Sequence, residues 1–161
     1  ISTGMSTISE IDKAVEIMTH LNLGAAKAMN DVGVNACTDI SGYGLLGHLL
    51  EMCKGSHVST VIQFNDIPLI EGVFELAQEG FVPGGTKNNL EYVLTDLDFS
   101  KNISEEQKWM LADAQTSGGL LISVPGEKAA DLQSALQENN CLVRSVIGKV
   151  YKTAESTIYV N

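Results

Sequence analysis

Apolar residues recur along this chain mostly at helical spacing, interrupted by short stretches that alternate or run on. Ile8, Ile11, Val15 and Met18 step by three and four, the period of a helix that buries one face. Ser9-Glu10-Ile11-Asp12 at its start has the spelling of a capping box. After Asn22 and Gly24, residues 25–32 predict a second helix of small residues, ended by Gly33. Residues 34–39 read as a short strand or extended segment, and residues 41–44 as a glycine-rich turn. Leu45, Leu46, Leu49, Leu50 and Cys53 form the stripe of a third helix, closed by Gly55. Residues 58–64 alternate as a strand with Val58, Thr60, Ile62 and Phe64 on one face.

A short helix is expected after Pro68, running to Ala77 and stopped by Gly80. Residues 81–102 are the least regular; Pro83-Gly84-Gly85-Thr86 and Asp96-Leu97-Asp98 suggest a long loop with some helix. Ser104-Glu105-Glu106-Gln107 is a second capping box and starts a helix towards Asp113. Then come a buried strand over 120–124 and a helix over 127–139 with Ala129, Leu132 and Leu136 inward. A strand pair or one long strand is expected over 142–151, and a closing strand over 156–160. Strands and helices intersperse without strict βα repetition. The expected class is therefore α+β, a mixed β-sheet flanked by helices.

Composition narrows the function more than the fold. A chain of 161 residues with 44% hydrophobic and 19% charged residues can build one real core, and is neither disordered nor disulfide-stapled. Ten basic against 20 acidic residues leave a net charge of −10. A field of that sign repels nucleic acid and anionic membrane, so neither is an expected partner. A phosphate-bearing ligand would need a cation to bridge it to these carboxylates. Cys37, Cys53 and Cys141 are scattered without CxxC spacing, as in reduced thiols of a cytoplasmic protein. The apolar runs are too short to span a bilayer. The chain opens on Ile1 with no basic-then-apolar leader, and is expected to be one domain of a longer protein.

Two polar, glycine-rich turns set against hydrophobic elements carry the candidate chemistry. The first is Cys37-Thr38-Asp39-Ile40-Ser41-Gly42-Tyr43-Gly44-Leu45-Leu46-Gly47-His48; the second is Asp113-Ala114-Gln115-Thr116-Ser117-Gly118-Gly119-Leu120-Leu121. Glycines let a backbone approach a ligand and turn its N–H groups towards an anion. Asp39, at the end of an extended segment, has the chemistry of a Mg²⁺ ligand; the alternative is a cap of the turn or following helix. Thr116 and Ser117 can offer hydroxyls to a phosphate or satisfy their own turn. His48 can reach a ligand or sit hydrogen-bonded in the core. Gly42, Gly44 and Gly47 spell G-x-G-x-x-G with Asp66 further on, a dinucleotide fingerprint without the repeating βαβ units it needs. Neither a Walker loop nor a G-x-S-x-G elbow is present.

Residues 38–49 closely resemble the TD-[IV]-[ST]-G-[FY]-G-L-x-G-H-L motif of the selenophosphate synthetase (selenide, water dikinase) family. Residues 113–121 resemble that family's second C-terminal signature. Pro83-Gly84-Gly85-Thr86 followed by Asn88 is similar to its P-G-G-T-x-x-N loop, with Lys87 among the variable positions. Thr3-Gly4 is similar to the G-T-G strand that enters the domain. The resemblance implies the C-terminal domain fold of the aminoimidazole ribonucleotide synthetase superfamily. It further implies a reaction in which ATP, selenide and water give selenophosphate, orthophosphate and AMP with Mg²⁺, for selenocysteine and selenouridine synthesis. Asp39 would be this domain's metal carboxylate, and Thr38, Gly42, Thr116, Ser117, Gly118 and Gly119 would line the nucleotide cleft. The reactive Cys or selenocysteine and Lys would belong to an N-terminal domain, which would also form the homodimer. Cys37 would then be only a buried thiol. The competing expectations are a related ATP-dependent synthetase, a non-catalytic ligand- or partner-binding module, and a dinucleotide-binding oxidoreductase.

Overall fold

The computed structural model describes residues 8–152 and 157–161, with side chains from Ile11 onward. Thr3-Gly4 and the first residue of the expected 156–160 strand lie outside the described residues. Helix α1 (Ile8–Thr19) already includes Ser9, which therefore is not its N-cap. Ile11, Ala14 and Ile17 are half-buried, whereas Val15 and Met18 are 45% and 39% exposed. Hydrophobic spacing fixes the period of a helix, but not which of two adjacent apolar strips turns inward.

Helix α2 (Leu23–Val32) ends as expected at Gly33, whose φ of +77° favours glycine. Strand β1 (Ala36–Asp39) feeds the glycine turn and α3 (Gly44–Ser56). Gly55 does not close α3; His57 does, in the left-handed region, which His enters more readily than most side chains. Strand β2 (Val58–Ile62) stops short of Phe64, which begins a 3₁₀ turn. A short α4 (Val73–Gln78) follows, with Gly80 at φ +85° beyond it.

The irregular stretch holds more order than its composition suggests. Pro83 is the N-cap of α5 (Gly84–Val93), and β3 (Leu97–Phe99) follows a 3₁₀ turn. A three-residue strand is too short to show alternation, and long-range pairing alone defines it. Helix α6 (Glu105–Ala112) starts with the expected reciprocal capping box: Ser104 Oγ accepts from the Gln107 N–H, and Gln107 Oε1 accepts from the Ser104 N–H. Strand β4 (Leu120–Ser123), half-buried and not fully buried, leads to α7 (Ala129–Glu138). Of residues 142–151 only the end is strand, β5 (Gly148–Lys152), and β6 (Ile158–Val160) closes the fold.

The α+β class holds, and the strands form two sheets. β1 pairs antiparallel with β4. The other sheet is mixed, in the order β3-β6-β2-β5, with β2–β5 antiparallel and β2–β6 and β3–β6 parallel. Leu46, Leu49, Leu50 and Cys53 of α3 form the main core with Ile62, Ile158 and Val160 from the mixed sheet and Leu90, Val93 and Leu111 from α5 and α6. A second core joins Ala28 of α2 to Leu132 and Leu136 of α7, with Ile122 of β4 packed against it. Helix α3 thus ties the strand that carries Asp39 to the larger core.

Leu46 is fully buried there, while Leu21 is 74% exposed. Leu46→Ala should cost about 2–5 kcal/mol, and Leu21→Ala less than about 0.5 kcal/mol. Urea melts of the two variants, read as a shift in midpoint at constant slope, check this order.

Candidate functional site

The β1–β4 ladder sets Ala36 opposite Ser123 and Asp39 opposite Leu120. The pairing continues past both strands. The Ile40 N–H donates to the Gly119 carbonyl at 2.9 Å, the Gly118 N–H to the Ile40 carbonyl at 3.0 Å, and the Gln115 N–H to the Ser41 carbonyl at 2.9 Å. The two glycine-rich turns, far apart in sequence, are zipped together by main-chain hydrogen bonds.

The third motif joins them from α5. Asn89 Nδ2 donates to the Gly42 carbonyl at 2.9 Å and to the Ala112 carbonyl at 3.1 Å. One turn earlier on the helix, the buried Thr86 hydroxyl donates to the Asp113 carboxylate. Gln115 Nε2 folds back on the Asp113 carbonyl at 3.1 Å. The side chain that makes the contact is Asn89, not Asn88, which is exposed. The spacing P-G-G-T-x-x-N itself reaches Asn89 when counted from Pro83. Sequence reading had no signal for Thr86 and Asp113 as partners, because their contact is purely tertiary.

Asp39 stands at the rim of this junction with an exposed side chain, and among the described residues its carboxylate takes no hydrogen bond or ion pair. The following helix does not use it: α3 has Tyr43 at its N-cap and no side-chain cap. The capping alternative for Asp39 is therefore not what the fold adopts. Thr38, half-buried, turns its hydroxyl to the Asp39 carbonyl at 3.3 Å. Gly42, Thr116, Ser117 and Gly118 are exposed, and Gly119 is half-buried. Ser117, between Thr116 and Gly118, holds φ at +55°, a left-handed conformation costing a side-chain-bearing residue about 1–2 kcal/mol. Strain of this kind gathers where backbone geometry is functional.

The glycines divide by what they face. A Cβ on Gly44, at φ +67°, would lie 2.6 Å from the Ala112 carbonyl and 2.7 Å from that of Asp113, so the two turns can abut only at a glycine. A Cβ on Gly42 would meet nothing within 4 Å, and its φ is not positive. The chain's own packing does not demand glycine there. Gly47 is tight against Tyr43, with 2.6 Å from its Cβ to that of the tyrosine. The dinucleotide reading fails on this ground and on topology: β1 and β2, which flank α3, lie in different sheets, and Asp66 sits in a 3₁₀ turn.

His48 is 8% exposed, with Nε2 3.1 Å from the Ser41 hydroxyl, Nδ1 3.5 Å from the Glu51 carboxylate and the Tyr43 ring edge-on at 5.9 Å. It braces the turn from inside. Burial raises the Cys37 thiol above its ordinary pKa, and the nearby Asp39 charge raises it further. A thiol so disfavoured as thiolate is no activated nucleophile. Among the described residues no three His, Cys, Asp or Glu side chains are grouped to hold a metal ion. Of the two carboxylates at the junction, that of Asp113 is held by Thr86. That of Asp39, exposed and without a hydrogen bond or ion pair among the described residues, suits a divalent cation that draws most of its oxygens from elsewhere.

Residues 6–161 match the family described as AIR synthase related protein, C-terminal domain. The chain belongs to that family. This AIR synthase related C-terminal domain is also 45% identical over 149 residues to the selenide, water dikinase of Clostridioides difficile strain 630, covering 92% of the chain and 43% of the relative. Its identity to the selenide, water dikinase of Carboxydothermus hydrogenoformans is 48% over 134 residues, covering 83% of the chain and 39% of the relative. For that of Myxococcus xanthus it is 44% over 139 residues, with 85% and 40% covered. The domain spans less than half the length of these relatives. The resemblance read from the three motifs thus holds over nearly the whole chain. Among the described residues no helix is long and apolar enough to cross a membrane.

Gly44→Ala should destabilise the domain by about 2 kcal/mol or more, from the left-handed φ together with the collision at Ala112. Gly42→Ala should leave the midpoint within about 0.5 kcal/mol of the parent, since it meets open space. Chemical denaturation of both variants checks the division between glycines the fold needs and glycines it does not.

Proposed function

We propose that this domain is the C-terminal part of a selenide, water dikinase, and that it closes over Mg²⁺-ATP bound mainly by an N-terminal domain. The observation that carries the reading is Asp39: an exposed carboxylate that takes no hydrogen bond or ion pair among the described residues, at the strand end where the two glycine turns meet. The overall reaction is that implied by the relatives' name and by the resemblance, selenophosphate, orthophosphate and AMP from ATP, selenide and water. Selenophosphate would then supply selenium for selenocysteine and selenouridine. The N-terminal domain would bring the nucleophile and the homodimer contact, and the setting would be cytoplasmic.

When bound, the cation would offset phosphate charge and polarise the reacting phosphoryl groups. The domain's own residues have simpler tasks. Asp39 contributes one carboxylate oxygen, which a chain of net charge −10 can bring to phosphate only through such a cation. Gly42 and Gly119, where a Cβ would meet open space, keep side chains out of the path of an approaching ligand. Gly118, whose N–H is held by the Ile40 carbonyl, lets the two turns pack closely enough to form the rim. Thr38, Thr116 and Ser117 add hydroxyls at the same rim. Selenide is itself the nucleophile towards a phosphoryl group, and none of these residues carries a positive charge that would draw out the leaving phosphate, which leaves the bond-breaking steps to the other domain.

Two measurements test this. In the full-length protein, Asp39→Asn should lower turnover by about tenfold or more, as expected for ~1.4 kcal/mol or more of lost transition-state stabilisation. Its melting temperature without nucleotide should stay the same or rise, because no internal contact is lost. Unchanged turnover at limiting Mg²⁺ would remove Asp39 from the site. Separately, the 161-residue chain alone should form no selenide-dependent AMP above a mock preparation. AMP formation by that chain would show that the chemistry does not depend on a second domain.

A further inference from the structure

We propose that Asn89 is a positioning residue, a clamp that fixes the distance between the two glycine-rich turns and so the shape of the site built on them. This rests on the functional reading above for its ligand, but the clamp itself is a matter of geometry. Asn89 spends both hydrogens of one amide on two carbonyls far apart in the chain: Gly42, in the turn after Asp39, and Ala112, the last residue of α6, immediately before the second motif. Gly42 is exposed and a Cβ there would meet open space. Its carbonyl is held by Asn89, while the turn around it is held by the Gly44 N–H bond to the Ser41 carbonyl and by the Tyr43 ring against His48 and Tyr92. Thr86, one helical turn earlier, holds the Asp113 carboxylate. Helix α5 therefore grips the entry to the second motif at Ala112 and Asp113, and the first motif at Gly42.

The consequence is directional. The zipper of main-chain bonds fixes Ile40 and Ser41 against residues 115–119. It does not reach Gly42, whose carbonyl turns to Asn89 instead. Without Asn89, the Gly42 carbonyl loses its hydrogen bond to α5 and the tie from this turn to Ala112, while the strands behind it keep their ladder. Ligand binding should suffer more than folding or the chemical step.

The test uses the full-length protein with Asn89→Leu, which removes both donors at similar volume, and Asn88→Leu as its exposed neighbour. Hydrogen exchange should quicken by about tenfold or more at the amides around Gly42 and Gln115, with β2 and β6 amides unchanged. The KM for Mg²⁺-ATP in selenide-dependent AMP formation should rise about tenfold, with kcat within about threefold of the parent. Asn88→Leu should change neither. Exchange that is unchanged, or that quickens equally in β2 and β6, would overturn the clamp. So would an unaltered KM beside locally quickened exchange, or a fall in kcat alone. If the parent protein makes no AMP from selenide and ATP, the functional reading falls, while the exchange pattern still decides whether Asn89 holds the turns.

Discussion

Everything at the candidate site depends on one short antiparallel pairing. Strands β1 and β4 have four residues each, yet their ladder runs on through Ile40, Ser41, Gln115, Gly118 and Gly119. Each buried main-chain hydrogen bond contributes only about 1 kcal/mol net, but leaving such a group unpaired costs more than making the bond gains. The register is therefore set as much by what a slip would leave unsatisfied as by what it forms. A slip of one residue would also reverse which side of β1 faces the core. Asp39 would then turn inward, and the buried Ile40 would lose its place.

The pairing can exist only because side chains are missing where the two turns touch. Gly44 and Gly118 answer to the fold: each would drive a Cβ into neighbouring atoms within 3 Å. Gly42, Gly84 and Gly85 answer to nothing within the domain, since a Cβ on any of them would meet open space. Open space at a glycine is not by itself a sign of a ligand, since Gly55, Gly80, Gly119 and Gly126 are equally open. What sets Gly42 apart is its place in the turn that follows Asp39.

Much of the fold was legible in the sequence, and the failures share a cause. The helices α2, α3, α6 and α7 follow from apolar period and caps, and Ser104 with Gln107 forms the box its spelling promised. Strand β3, the shortened β5 and the inward face of α1 were not legible, because each is decided by a partner distant in the chain. The same holds at the site. Asp39 and the glycine turns stand out by residue type and spacing alone. Asn89 stands out less, being one of two adjacent asparagines in a stretch that reads as loop: the P-G-G-T-x-x-N spacing selects it over Asn88, but only its contacts with Gly42 and Ala112 show what it holds.

Charge and geometry together say what kind of site this is. A net charge of −10 with a single exposed carboxylate at the turn junction cannot by itself attract a polyphosphate. The exposed arrangement of Gly42, Thr116, Ser117 and Gly118 is a rim and not an enclosed cleft. Backbone N–H groups are worth most against an anion when water is excluded, and an open rim does not exclude it. On the proposed function the elements would form one wall, tied together by β1–β4 and by α5, whose backbone groups would gain strength against an anion when a second surface closes the other side. Rigidity is what such a wall must supply in advance, since ordering it during binding would subtract from affinity. The cross-links among the three motifs supply that order before any ligand arrives.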